Sequence, residues 1–351
     1  MNKDYIKDTV SFRKNNKKGA YFAMCASTLL LFILSYLPNL FSYLFVEFLV
    51  KNYVLIERSL VSLLCHFDVS VPMSQAAVRS LFETGIVYEF ITIIIVIVSM
   101  AIPAIIFSAF VRLDFETSFK WDGKIIKGLF AFFCINQLIT NFATDFSQGM
   151  YDYIVPPSPE VYTGSFTASS PNIFSLIINL LCTGILVPVV EEYVYRGVFF
   201  TYLRRYGLAF GIVASATLFG VAHSAPTQSV FAFAFGIISA LAYVATGNIK
   251  TSILLHALNN IKAVLFGHLT VWLGRELFYL FTFIYTIIII TVAFSAFFRF
   301  TKQGGFPNLY FEKEKENDSD ICVKAGMREV LCFPLIVFIL FYAVDFISQV
   351  M

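Results

Sequence analysis

Apolar residues in this chain do not alternate with polar ones at strand spacing, nor do they repeat at the three- and four-residue intervals of a surface helix. They run in long uninterrupted blocks. A helix of about 20 largely apolar residues is what crosses a bilayer. Nine blocks meet or approach that length: 20–49, 86–111, 128–148, 172–195, 207–224, 229–247, 251–273, 276–298 and 330–350. The first contains Pro38, a natural kink position. Between the first two blocks, Val54 to Phe67 forms an amphipathic patch suited to the membrane surface. The pattern predicts an all-α fold: a polytopic bundle of about eight or nine membrane helices.

Polar positions then orient the bundle. Basic residues cluster before the first block (Lys3, Lys7, Arg13, Lys14, Lys17, Lys18) and after the second (Arg112, Lys120, Lys124, Lys127). They recur at Arg204 and Arg205, at Lys250, and in the segment 299–328 at Arg299, Lys302, Lys313, Lys315, Lys324 and Arg328. Segments 149–171 and 224–228 carry no Lys or Arg. Basic segments thus alternate with poor ones along the spans. The positive-inside rule then places the N-terminus in the cytoplasm and, for nine spans, the C-terminus outside. The opening apolar block is too long for a cleaved signal peptide and reads as an anchor. The stretch Glu312–Asp320 reads as a solvated loop.

Composition agrees. The chain of 351 residues is 58% hydrophobic and 14% charged, with 41 Phe. A soluble chain carries about 25% charge. The net charge of +2 gives no reason to expect nucleic acid as a partner. Six cysteines, at 25, 65, 134, 182, 322 and 332, stand singly and suggest neither a disulfide framework nor a thiolate metal site. No internal repeat is evident, which weighs against a transporter built from two similar halves.

Ionisable groups inside membrane segments are costly, so they mark functional positions by default. Three clusters stand out. In the first, Glu191 and Glu192 follow an apolar run. Glu192 and Arg196 are four apart on one helix face and can pair, which leaves Glu191, about 100° away, free as a general base. The second is Phe219-Gly220-Val221-Ala222-His223. The third is His256-Ala257-Leu258-Asn259-Asn260, in which His256 and Asn260 share a face and can both donate to a developing oxyanion. A hairpin about Arg204–Gly207 brings Glu191 level with His223, both roughly 20–25 Å from the turn. His256 lies only about 9 Å from Lys250 along its helix, a mismatch of depth that a kink near Pro188, a tilt or a projecting helix must absorb. A packed intramembrane histidine and a structural Glu–Arg pair are the ordinary explanations of each cluster alone. With four His in the chain and two in these clusters, coincidence is the poorer account. His66 and His268 lie near the ends of apolar blocks and carry no such pattern. On the third block, Asn136, Gln137, Thr140, Asn141 and Asp145 make a polar face that lines a cavity or, by slight preference, hydrogen-bonds a neighbouring helix.

The order EExxxR, FxxxH, HxxxN on successive membrane helices resembles the CPBP or Abi family, which holds CAAX prenyl proteases and bacteriocin-processing enzymes. The resemblance covers about 172–265, with 1–150 and 275–351 as uncovered flanks, and Lys262 has no place in the pattern. It implies a glutamate-dependent intramembrane endopeptidase. In that scheme Glu191 and His223 activate water, His256 and Asn260 stabilise the oxyanion, and Glu192 and Arg196 support the site. The implied partners are a peptide or protein substrate at the membrane and the bilayer itself. The expected location is a bacterial cell membrane, or an endomembrane in a eukaryote. No cofactor is expected. Zinc on Glu191, Glu192, His223 and His256 is the rival, although HExxH is absent, as are GxGD and GxSG. A non-enzymatic protein of the same fold, such as an immunity factor or assembly partner, is the second rival. Neither the substrate, its prenylation nor the oligomeric state is encoded legibly.

Overall fold

The computed structural model describes residues 17–52, 86–113, 123–154, 173–223, 226–302 and the pairs 335–336 and 339–340. The Val54–Phe67 patch, His66, the 303–328 segment and nearly all of the last apolar block lie outside them. Among the described residues there is no strand. There are nine α-helices: α1 (Lys17–Lys51), α2 (Ile86–Phe110), α3 (Gly123–Ile154), α4 (Ile173–Leu181), α5 (Val187–Glu192), α6 (Thr201–Leu203), α7 (Leu208–Ala222), α8 (Pro226–Thr246) and α9 (Ile249–Lys302). Among the described residues five stretches are long and apolar enough to cross a membrane: Gly19–Leu37, Ile93–Phe110, Leu176–Tyr206, Thr227–Thr246 and Glu276–Ala296. This is a multi-pass membrane protein by length and composition.

Three predicted spans come out differently. The 207–224 block folds as α7, whose apolar stretch Leu208–Ala222 is shorter than a full crossing. The 128–148 block is helical within α3, but its polar face keeps it off the set of apolar crossings. Block 251–273 forms the first part of α9 and is not among the apolar crossings; the 276–298 crossing follows it after a break at Gly274, where φ 73° and ψ 167° interrupt the helix. α1 continues through the predicted kink position at Pro38.

α4, α5 and α6 form one rod with two wide π-helical segments, Cys182–Leu186 and Tyr193–Phe200, and a tight turn at Arg204–Tyr206. Gly207, at φ 139°, reverses the chain where the hairpin was expected. Its register sets the Tyr195 ring 4.7 Å from that of Phe219. The Arg205 guanidinium donates to the carbonyls of Val111 (3.2 Å) and Arg112 (3.0 Å). The basic turn therefore caps the end of α2, and two of the basic clusters share one end of the bundle. α7 and α8 pack backbone to backbone: a Cβ on Gly236 would stand 2.9 Å from the Cα of Ala216. Close approach through small residues is how helices associate without a hydrophobic drive between them.

Candidate active site

The wide turns at either end of α5 set the site's framework. Val187 N–H reaches back five residues to the Cys182 carbonyl, and Pro188 has no N–H to give. The Thr183 carbonyl is thereby left for another donor. Asn260 supplies it, its Nδ2 donating over 3.0 Å. π-Segments of this kind recur at functional positions because they re-aim side chains over a short stretch.

The first part of α9 runs antiparallel along this rod. Its start, Ile249, lies against Gly197, where an added Cβ would meet Ile249 Cδ1 at 3.4 Å. Further along, His256 meets Glu192, and Ile261 lies against Gly184. This pairing removes the depth mismatch. The turn before α9 does not reach the level of Arg204–Gly207. It is sunk into the bundle beside Gly197, with Asn248, Ile249, Thr251 and Ser252 all buried. From Gly197 to Glu191 and from Ile249 to His256 the helices climb similar distances, about 9–10 Å each.

His256 then sits between two adjacent carboxylates. Its Nδ1 lies 2.9 Å from Glu192 Oε1, and its Nε2 lies 3.6 Å from Glu191 Oε2. Glu192 is fully buried. It also accepts from Ser239 Oγ at 2.9 Å and faces Arg196 Nε at 3.1 Å. The Nε geometry does not make a well-formed hydrogen bond, so the pair is chiefly ionic at close range. Arg196 donates from Nη2 to the Gly236 carbonyl (3.4 Å) and lies over the rings of Phe219 and Phe235, 4.7 and 5.7 Å from their centroids. Cation–π contact partly replaces the water this guanidinium has lost. Glu191 keeps 18% of its side-chain exposure, in contrast to Glu192 at 0%. One carboxylate is therefore committed to the framework and the other is open.

His223 caps the end of α7, with Nδ1 2.8 Å from the Phe219 carbonyl, and its carbonyl accepts from Ser229 Oγ. The Phe219 ring touches both imidazoles, at 4.8 Å for His223 and 5.7 Å for His256. His223 and Glu191 share no hydrogen bond or ion pair. The structure brings Glu191, Glu192, Arg196 and His256 into one contact group, sets His223 against it through Phe219, and ties Asn260 to the α4–α5 junction. Sequence reasoning missed Ser239 and the aromatic floor of Phe219 and Phe235. Ser239 sits in a plain apolar helix and gives no signal; Phe219 was visible as the first residue of FxxxH.

The donor set does not suit zinc. A single imidazole meets the two carboxylates through opposite ring nitrogens, so the three side chains do not converge on one point. Among the described residues no three His, Cys, Asp or Glu side chains form a metal-binding group.

Along the side of this part of α9 that faces α3, the polar residues of α3 make interhelical hydrogen bonds. Asn136 Nδ2 and Gln137 Nε2 both donate to Asn259 Oδ1, at 3.3 and 3.2 Å. Lys262 Nζ donates to Gln137 Oε1 at 2.6 Å. Asp145 is exposed. His268 is buried beside Trp272, away from these contacts.

No curated protein and no solved structure matches the chain. One family does match, over residues 173–262, and it is described as Type II CAAX prenyl endopeptidase Rce1-like. The match begins with α4 and ends at Lys262, so it holds the carboxylate pair, both histidines and Asn260 and leaves out α1 to α3. Residues 173–262 of this membrane protein are thus similar to the Rce1-like type II CAAX prenyl endopeptidase family.

Proposed function

We propose that the chain is an intramembrane endopeptidase in which Glu191 is the general base. The observation that carries this is the asymmetry of the carboxylate pair around His256: Glu192 buried and bonded on every side, Glu191 partly open with the imidazole 3.6 Å away. Glu191 takes a proton from water as the oxygen attacks the scissile carbonyl carbon. The tetrahedral oxyanion meets donors on α9, His256 Nε2 and the second N–H of Asn260. The proton on Glu191 passes to the amide nitrogen, the C–N bond breaks, and a carboxylic acid and an amine leave. His223, whose Nδ1 is engaged, offers Nε2 to the attacking water. Glu192 and Arg196 hold the imidazole. Oxyanion donors of this kind are worth about 10²–10³ in rate each.

The substrate class that fits the family is a membrane-held peptide with a CAAX-type tail, prenylated or not. The test compares the membrane peptidome of cells making the wild-type chain with those making Glu191→Ala, together with hydrolysis of a fluorogenic farnesylated CAAX peptide by the purified chains. Wild-type-dependent processing that Glu191→Ala and His256→Ala abolish is expected. Identical peptidomes and no hydrolysis would sink the peptidase reading in favour of a non-enzymatic role for the same fold.

A further inference from the structure

Lys262 lies in the apolar bundle with no carboxylate paired to it among the described residues. Its contacts are Gln137 Oε1 and the Phe266 ring, 5.8 Å from Nζ. An ammonium can only donate. Gln137 must therefore turn its carbonyl oxygen toward Lys262, where Tyr285 Oη also donates to it at 3.3 Å. The Gln137 amide nitrogen is then forced toward Asn259, so Asn259 must present its oxygen to α3. Asn136 Nδ2 holds that oxygen from a second direction. The orientation of Asn259 thus follows from the charge of Lys262, two hydrogen bonds away.

This leaves the Asn259 amide nitrogen pointing elsewhere. Nδ2 donates to no acceptor among the described residues, and it is not closed off as Asn136 Oδ1 is. Asn259 stands one turn after His256 on the same helix, so the two side chains are neighbours. Asn260, the other candidate, has already given one N–H to Thr183. We propose that Asn259 is a further oxyanion donor beside His256 and Asn260, and that Lys262 and Gln137 are positioning residues that fix which end of its carboxamide faces the substrate. The proposal rests on the peptidase reading. It adds α3, which lies outside the family-matched segment, to the machinery that shapes the site.

The experiment uses full-length chains in detergent with the fluorogenic farnesylated CAAX peptide. Asn259→Asp keeps an oxygen for Asn136 and Gln137 to bond but removes the N–H groups. A fall in kcat of about 10²-fold or more is expected, with KM within about threefold. Lys262→Met should lower kcat about tenfold, and Lys262→Arg, which again can only donate, should restore it. Wild-type kcat in Asn259→Asp overturns the assignment while leaving the peptidase reading intact. If Asn259→Asp does not fold, equal kcat for Lys262→Met and wild type overturns it instead. A wild-type chain that cleaves no better than Glu191→Ala overturns both.

Discussion

Replacing Arg196 by methionine isolates the cost of the carboxylate that frames the site. Arg196 is 1% exposed and Glu192 is 0% exposed, so water does not screen their pairing. Removing one partner of a buried ion pair costs about 3–5 kcal/mol, since it strands the other charge. Here Ser239 and His256 continue to bond Glu192. The lower end, about 3 kcal/mol, is therefore expected, a factor of roughly 10² in the folding equilibrium. Glu192→Gln strands the guanidinium over Phe219 and Phe235 and should cost a similar amount. The double variant carries neither charge, and uncharged replacements of buried pairs are often close to neutral.

The assay is reversible unfolding of the four chains in mixed micelles, read as a double-mutant cycle. Strong non-additivity is expected, with the double variant less damaged than the two losses combined by at least about 2 kcal/mol. A loss under about 1 kcal/mol for Arg196→Met, the range of exposed pairs, would refute the picture of a dry framework carboxylate. So would additive single losses, which would show that the two side chains do not depend on each other.

Other outcomes follow from single contacts. Ser239→Ala removes one hydrogen bond to the Glu192 carboxylate and should cost about 1.5–3 kcal/mol of stability, measured in the same unfolding assay. Gly236→Ala forces a Cβ to within 2.9 Å of the Ala216 backbone and should destabilise by about 1–3 kcal/mol through overpacking; cysteine cross-linking between α7 and α8 would report the displacement. Hydrolysis should survive 1,10-phenanthroline and EDTA within about twofold, because the site's donors do not converge on an ion; loss of activity restored by added zinc would overturn the metal-free scheme.

Much of this was legible from the amino-acid order, and the reasons for the rest are physical. Long apolar blocks write membrane helices plainly, because every position facing lipid must be apolar. The same rule gives no signal for packing depth. His256 was legible as a chemical residue, but its level was not. The turn at 247–248 was placed at the membrane edge with the other basic turns, whereas tertiary packing sinks it beside Gly197. Thr251, Ser252 and Asn248 could have signalled this, as three polar groups that bond locally or to α8 and so tolerate burial: Thr251 Oγ1 accepts from Thr246 at 2.9 Å and Ser252 Oγ donates to the Ser239 carbonyl at 2.9 Å.

The partition of the two glutamates shows a second limit. Spacing alone paired Glu192 with Arg196, and the side chains do meet at 3.1 Å. Spacing assigned the free carboxylate to His223, yet the imidazole that reaches Glu191 belongs to His256. A hairpin register reports which levels coincide between two adjacent helices. It does not report which third helix closes over them. That third contact depends on Pro188 and the π-segments around α5, which free the Thr183 carbonyl and so give Asn260 something to hold. The position of His256 thus depends in part on the backbone N–H missing at Pro188, four residues before Glu192. Restoring that N–H by Pro188→Ala would let the rod close its own hydrogen bond and compete with Asn260 for Thr183. The contact between Glu191 and His256 is in this sense held in place by backbone geometry that residue spacing does not express.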